Sequence, residues 1–220
     1  MKRISDYADI MMKHIVQNKH EQSLICKRIS VYILPLLCSC IAFVSPAYSE
    51  TLEETIKQCG MCHGADGNSM APVNPSISGM TKEYFKHTLD AYKNSGRQSD
   101  MMKMFAHTLT SEQIDGLAEF YEKQTFKPRE QKYDANKAKQ GKVLHDKYCE
   151  KCHENAGRIT ENNYGFLAGQ WTPYLKKVIQ DYVDKKRNAP PMMITKIKKM
   201  KENHGEESID LLMHYYASLH

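Results

Sequence analysis

The 220-residue chain has no apolar run long enough to cross a membrane squarely. The longest, 29–45, is seventeen residues broken by Pro35, short of the about 20 that a helical span takes. No stretch alternates apolar and polar residues as a half-buried strand would, which excludes the sheet classes and leaves an all-α fold. Charge of one sign is also lacking. The net +5 falls to +2 once residues 1–49, with six basic and three acidic groups, are set aside, too weak a balance for a nucleic-acid binder. Free thiols are missing too. Of seven cysteines, Cys26, Cys38 and Cys40 lie in that first segment, and the other four form two C-x-x-C pairs, so none is left for a disulfide.

The pairs are what the chain does have. Cys59-Gly60-Met61-Cys62-His63 recurs as Cys149-Glu150-Lys151-Cys152-His153. C-x-x-C-H is the attachment signature of c-type haem: two thiols form thioethers with the vinyl groups, and the adjacent His becomes the proximal iron ligand. On one helical turn both sulfurs face the same porphyrin edge and the His is directed at the iron. A zinc ribbon would separate its pairs by about 15–20 residues and leave both His unused, whereas the second pair begins 87 positions after the first ends. A redox dithiol lacks the trailing His and expects a βαβ setting that the sequence does not offer.

Residues 1–28 are basic and polar, 29–45 apolar, and Ala47-Tyr48-Ser49 precedes Glu50. The expectation is a secretory signal peptide over 1–49, possible starts at Met11 or Met12, and a periplasmic mature chain with no stable membrane span after cleavage. An uncleaved anchor is the alternative. Haem attachment outside the inner membrane fits this route.

The mature chain reads as two copies of one plan. Under a shift of 90, Cys59, Cys62, His63, Gly67, Gly79, Tyr84 and Tyr92 fall on Cys149, Cys152, His153, Gly157, Gly169, Tyr174 and Tyr182. The expected organisation is a first haem domain over 50–126, a polar linker over 127–133 and a second haem domain over 134–220. Helices are expected to end at Cys59–His63, to run from Thr81 to Gly96, to start at the Thr110/Gln113 capping box and at Asp134, and to open at Thr172-Pro173. Residues 64–79 read as a loop, and 97–109 as an irregular Met-rich stretch.

The sixth iron ligand decides the chemistry, since a Met thioether raises the potential and suits electron transfer. Met102 and Met193 stand 91 apart, close to the repeat shift, and each lies four residues before an apolar position, Ala106 and Ile197. They are the expected partners of His63 and His153, with Met101, Met104 and Met192 as neighbouring alternatives. Met200 and Met213 read as core packing. His87, His107, His145, His204 and His214 are not duplicated and read as surface or core residues. Tyr84, Tyr174 and Trp171 are candidate donors to haem propionates or ordinary packing residues. The run Lys196–Lys201 reads as a solvated face or a docking site for an acidic partner.

With VLHDKYCEKCH (143–153) and LAGQWTPYL (167–175), residues 50–220 resemble the dihaem cytochrome subunit of flavocytochrome c sulfide dehydrogenase. QCGMCHGADGNS in the first half is shared more widely, including by tandem dihaem shuttle cytochromes. The resemblance implies two cytochrome-c-like domains with two covalently bound haem c. Cys59, Cys62, Cys149 and Cys152 would be the thioether residues, and His63 with Met102 and His153 with Met193 the iron ligands. It further implies an FAD-containing flavoprotein partner in a heterodimer, with FAD on that partner, and a small soluble electron carrier as acceptor. This chain would be a relay rather than an enzyme. A free shuttle delivering electrons to a terminal oxidase is the alternative. A haem enzyme such as a thiosulfate dehydrogenase or peroxidase would need a Cys-ligated or open iron, for which no spare Cys exists.

Overall fold

In the computed structural model, which describes residues 50–158 and 164–220, every regular element is helical, and the one bridge between extended residues, Arg97 with Arg187, is isolated. The all-α expectation therefore holds. The signal-peptide and anchor readings of 1–49 lie outside the described residues. Among those described, no helix is long and apolar enough to cross a membrane.

Local chemistry sets most helix starts. Helix α1, Leu52–His63, opens with a capping box: the Thr51 hydroxyl accepts from Glu54 N, and the Glu54 carboxylate accepts from Thr51 N. Helix α2, Lys82–Lys93, is capped by Thr81. It ends before the expected Gly96, because the chain reverses at Ser95, whose φ of 59° is left-handed. The stretch expected to be irregular contains helix α3, Asp100–Thr108, where the Ser99 hydroxyl accepts from Met102 N at 3.3 Å. Helix α4, Ser111–Glu122, starts at the Thr110/Gln113 capping box.

The second half repeats these elements. Helix α5, Ala135–Tyr148, begins where the Asp134 carboxylate accepts from Asn136 N and Lys137 N. Helix α6, Thr172–Val183, departs from expectation by one residue: Thr172 is its first residue rather than its cap, and the Thr172 hydroxyl is spent on Gln131 Oε1 at 3.0 Å. Helices α7, Pro191–His204, and α8, Ser208–Ala217, complete the chain.

Each half buries its own cluster. Phe85, Leu89, Tyr92, Ala106, Leu117, Ala118 and Tyr121 join α2, α3 and α4. Leu144, Tyr148, Leu175, Met200, Leu212, Met213, Tyr215 and Tyr216 join α5, α6, α7 and α8. A fully buried Leu such as Leu117 contributes about 1.5–3 kcal/mol.

Polar side chains stitch the halves together. Gln170, 1% exposed, accepts from Ser76 N and donates to Ser76 O, both at 2.9 Å. Phe126 stacks on Phe166 with centroids 4.3 Å apart. The segment 127–133 is clasped rather than free: Lys127 N donates to Asn68 Oδ1, Arg129 N to Gly169 O, and Gln131 Nε2 to Gln170 O.

Candidate haem-binding sites

The last turn of α1 presents Cys59, half-buried, Cys62, exposed, and His63, buried; neither thiol is in a disulfide. His63 Nδ1 lies 2.8 Å from Pro75 O. A carbonyl can only accept, so Nδ1 carries the proton and Nε2 keeps the lone pair that a metal needs. Burial lowers the His63 pKa even though the Pro75 bond works against it, so the imidazole is held in its neutral, ligating form. The loop 64–79 is tied back to the motif, since Ser69 Oγ and Asn74 Nδ2 both donate to Cys62 O. Gly64 starts that loop at φ 83°, and a Cβ there would strike the Asn68 carbonyl.

The second motif is shaped differently. Helix α5 stops at Tyr148, and Cys149–His153 runs through turns closed by Cys152 N and His153 N on Cys149 O. The expectation of a repeated helical turn therefore fails at this motif. The Glu150 carboxylate draws the chain aside by accepting from Asn155 N and Ala156 N, which sit at φ 50° and 60°. His153 is half-buried overall, but its Nδ1 is buried with no partner among the described residues, and burial lowers its pKa to about 4. Burial also raises the Cys149 thiol to about 11. Both values describe neutral side chains.

Met102 and Met193 occupy the same place in their helices: each is the third residue, of α3 and of α7 respectively. Met102 is half-buried against the first cluster, while Met101 and Met104 are 59% and 57% exposed. Met193 is half-buried and Met192 56% exposed. Met200 and Met213 are buried in the second core. Trp171 is not a free donor, because its Nε1–H is given to Ser69 O at 2.9 Å. Within the lysine run, Lys198 pairs with Glu202 and Lys201 with Glu206.

Sequence reasoning missed Arg97 and Arg187, although they too are 90 apart. Arg97, 7% exposed, lies 4.8 Å over the Tyr92 ring and donates to the Tyr174 hydroxyl at 2.6 Å. Arg187 lies 4.7 Å over Tyr182 and donates to the Tyr84 hydroxyl at 3.3 Å. No salt bridge to either guanidinium occurs among the described residues. Two such cations enclosed by phenols and lacking a carboxylate suit an anionic group. The carboxylates of haem are of that kind, and the donor set at each motif, two neutral thiols and a neutral imidazole, is the set haem c attachment consumes. The residues present fit the group.

Known proteins agree. Residues 50–120 match the family model described as cytochrome C oxidase, cbb3-type, subunit III. The cytochrome subunit of sulfide dehydrogenase from Chlorobaculum tepidum is 37% identical over 78 residues, 36% of this chain and 70% of that protein. Cytochrome c4 from Stutzerimonas stutzeri is 27% identical over 194 residues, 78% of this chain and 89% of that one. The crystal structure of reduced recombinant cytochrome c4 from Pseudomonas stutzeri superposes with a TM-score of 0.63 at 24% identity, covering 78% of this chain and 100% of that one. That likeness gives the tandem helical fold. The identity to the sulfide dehydrogenase subunit over most of its length gives the affiliation: this chain belongs to the cytochrome c family, electron-transfer proteins with covalent haem c.

Proposed function

We propose that the chain is a periplasmic dihaem relay that takes electrons from an FAD-containing, sulfide-oxidising flavoprotein and passes them to a small soluble carrier. The observation that carries this reading is the crossed pairing of Arg97 with Tyr174 and Arg187 with Tyr84, which ties the two motif-bearing halves together at a fixed separation. The 37% identity to a sulfide dehydrogenase cytochrome subunit supports the choice of donor.

In this reading Cys59, Cys62, Cys149 and Cys152 hold two haems, and His63 with Met102 and His153 with Met193 ligate them. Haem c supplies a one-electron iron couple. The chain's own residues do the rest. Pro75 O fixes the tautomer and ring orientation of His63, and burial favours its neutral form. Met102 and Met193 present a soft, uncharged sulfur that favours the reduced state. The buried clusters around α3 and α8 exclude water and keep the local dielectric low.

A second reading, a free shuttle to a terminal oxidase, is favoured by the 27% identity to cytochrome c4 along 78% of this chain. The test follows haem absorbance on adding sulfide to the protein purified with its native partners, against this chain alone in haem-loaded form. Fast reduction only in the native preparation, with a flavin spectrum present, supports the relay subunit. Equal slow reduction in both, with no flavoprotein retained, leaves the shuttle.

A further inference from the structure

The two halves differ at one buried position beside their motifs. In the first half it is Thr55, 2% exposed, whose hydroxyl donates to Thr51 O at 2.9 Å. Ninety residues later it is His145, wholly buried at 0% exposed. His145 Nδ1 lies 3.0 Å from the Tyr216 hydroxyl and Nε2 lies 2.6 Å from Glu150 Oε2. Tyr121 and Tyr216 are counterparts: each gives its carbonyl to the matching glycine, Gly79 or Gly169, and each turns its ring toward the first Cys of its motif. Among the described residues the Tyr121 hydroxyl has only the Cys59 thiol beside it, whereas that of Tyr216 also finds His145.

Glu150 links this imidazole to the second motif and to water. Its side chain is 40% exposed, lies between Cys149 and Cys152, and accepts from Asn155 N at 3.0 Å and Ala156 N at 3.3 Å. The turn carrying His153 is thus held by a carboxylate that is itself held by His145.

Resting on the two-haem reading, we propose that His145 is a positioning residue of the second site whose imidazole takes up a proton when that site takes up an electron. The surroundings serve both protonation states. When His145 is neutral, the Tyr216 hydroxyl donates to one ring nitrogen while the other N–H is given to Glu150. When it is protonated, both ring N–H groups donate, to Glu150 and to Tyr216 oxygen, and the Tyr216 O–H turns to the Cys149 sulfur beside it. Added negative charge nearby favours the protonated state more in a low-dielectric interior than in water. The electron comes from the external donor, the flavoprotein in the cell or dithionite in a titration. The proton comes from water through Glu150, no covalent bond changes, and both leave on reoxidation.

Other charged and titratable groups face this site from each neighbouring element. They are Cys149, Glu150 and His153 of the motif, Tyr215 and Tyr216 of α8, Lys196 of α7, Arg158 beyond the motif, and Lys142 and Asp146 on α5, which pair with each other at 2.6 Å. Of these, Glu150 is the anion in hydrogen-bond contact with the imidazole.

The test measures both midpoint potentials of the full haem-loaded chain by spectroelectrochemistry between pH 5 and 9, after haem content is fixed by haemochrome assay. The wild type should show one couple whose reduction weakens with rising pH, at most tenfold per unit, about 59 mV for one electron. His145→Thr, which installs the first half's residue, and His145→Gln should keep two haems and lose that slope. Glu150→Gln, removing the anion that favours the imidazolium, should move the sloping region to lower pH. Redox-difference infrared spectra of the wild type should show an imidazolium band appearing on reduction, a readout that needs no variant to fold. Two pH-independent wild-type couples, a slope that survives His145→Thr, or no imidazolium band overturns the inference. A chain with fewer than two haems overturns it together with the relay reading, whereas two haems with flat couples overturns it alone.

Discussion

Arg97 from the first half donates to the Tyr174 hydroxyl of the second at 2.6 Å, and its repeat counterpart Arg187 reaches back to Tyr84 at 3.3 Å. The pairs are related by the same 90-residue shift as the two motifs, so each half supplies one cation and one phenol to the other.

The first prediction concerns the strength of that crossing. Arg97 is buried and Arg187 half-buried, so losing a partner should cost more at Arg97. Tyr174→Phe should destabilise the haem-loaded chain by about 1–3 kcal/mol, the cost of taking one acceptor from a buried charged donor. Tyr84→Phe should cost less. Chemical denaturation of a double-mutant cycle, Arg97→Gln with Tyr174→Phe, checks this. A coupling energy near zero would show that the contact ties nothing together.

A second prediction follows from the Met placements. Met102→Ala should lower one haem potential on the order of 100 mV, within the about 0.8 V that axial ligation spans, and open that iron to added ligands. Met101→Ala, at a 59% exposed position, should leave both potentials where they were. Potentiometric titration of the two variants separates them, and the reverse result would move the ligand by one residue.

These choices show what the sequence carried and what it withheld. The capping box at Thr110 and the Asp134 cap are chemistry between residues three or fewer apart, so the composition of each start discloses them, whereas the equally local box at Thr51 is not among the expected starts. Helix α3 is masked in the sequence by methionines that also suit iron ligation. Ser99 with Met102, Ala106 and Leu109 nevertheless forms an ordinary cap followed by apolar residues at helical spacing. The early end of α2 depends on Ser95 adopting φ 59° with a Gly next to it, which local propensity argues against. The Arg–Tyr crossing joins residues 77 and 103 positions apart, and only the tertiary fold brings such partners together. The shape of the second motif depends on His145 and Glu150, which meet directly five residues apart, but the burial of His145 against Tyr216 comes only with the packing of α5 on α8.

Asp66 gives a prediction in pH. Its hydrogen bond from Lys127, at 2.7 Å, is the largest influence that lowers its pKa to about 2, with Asn68 N adding to it. The folded value lies below the unfolded one of about 3.9. The contribution to stability is therefore complete above pH ~4 and is lost as pH falls toward 2. Because the Asp66 side chain is 40% exposed, solvent limits the effect to under about 1 kcal/mol. Denaturation midpoints of wild type and Asp66→Asn should differ at pH 6 and converge at pH 2. A gap that is constant across that range would mean the pair contributes through packing instead.

Two glycines within helices should respond oppositely to the same substitution. Ala is favoured over Gly in a helix interior by about 1 kcal/mol, so space decides the sign. At Gly141 in α5 a Cβ would fall inside the Leu211 carbonyl and within 2.8 Å of Tyr215 Cβ on α8, atoms that move only if the two helices part. At Gly116 in α4 the Cβ would meet the tip of the Leu52 side chain at 2.8 Å, which can change rotamer. Gly141→Ala should therefore destabilise by about 1–3 kcal/mol through overpacking, and Gly116→Ala should be neutral or stabilising. Thermal denaturation of the two haem-loaded variants against wild type measures this difference. Equal behaviour at both positions would show that α5 and α8 stand farther apart than the close approach at Gly141 requires.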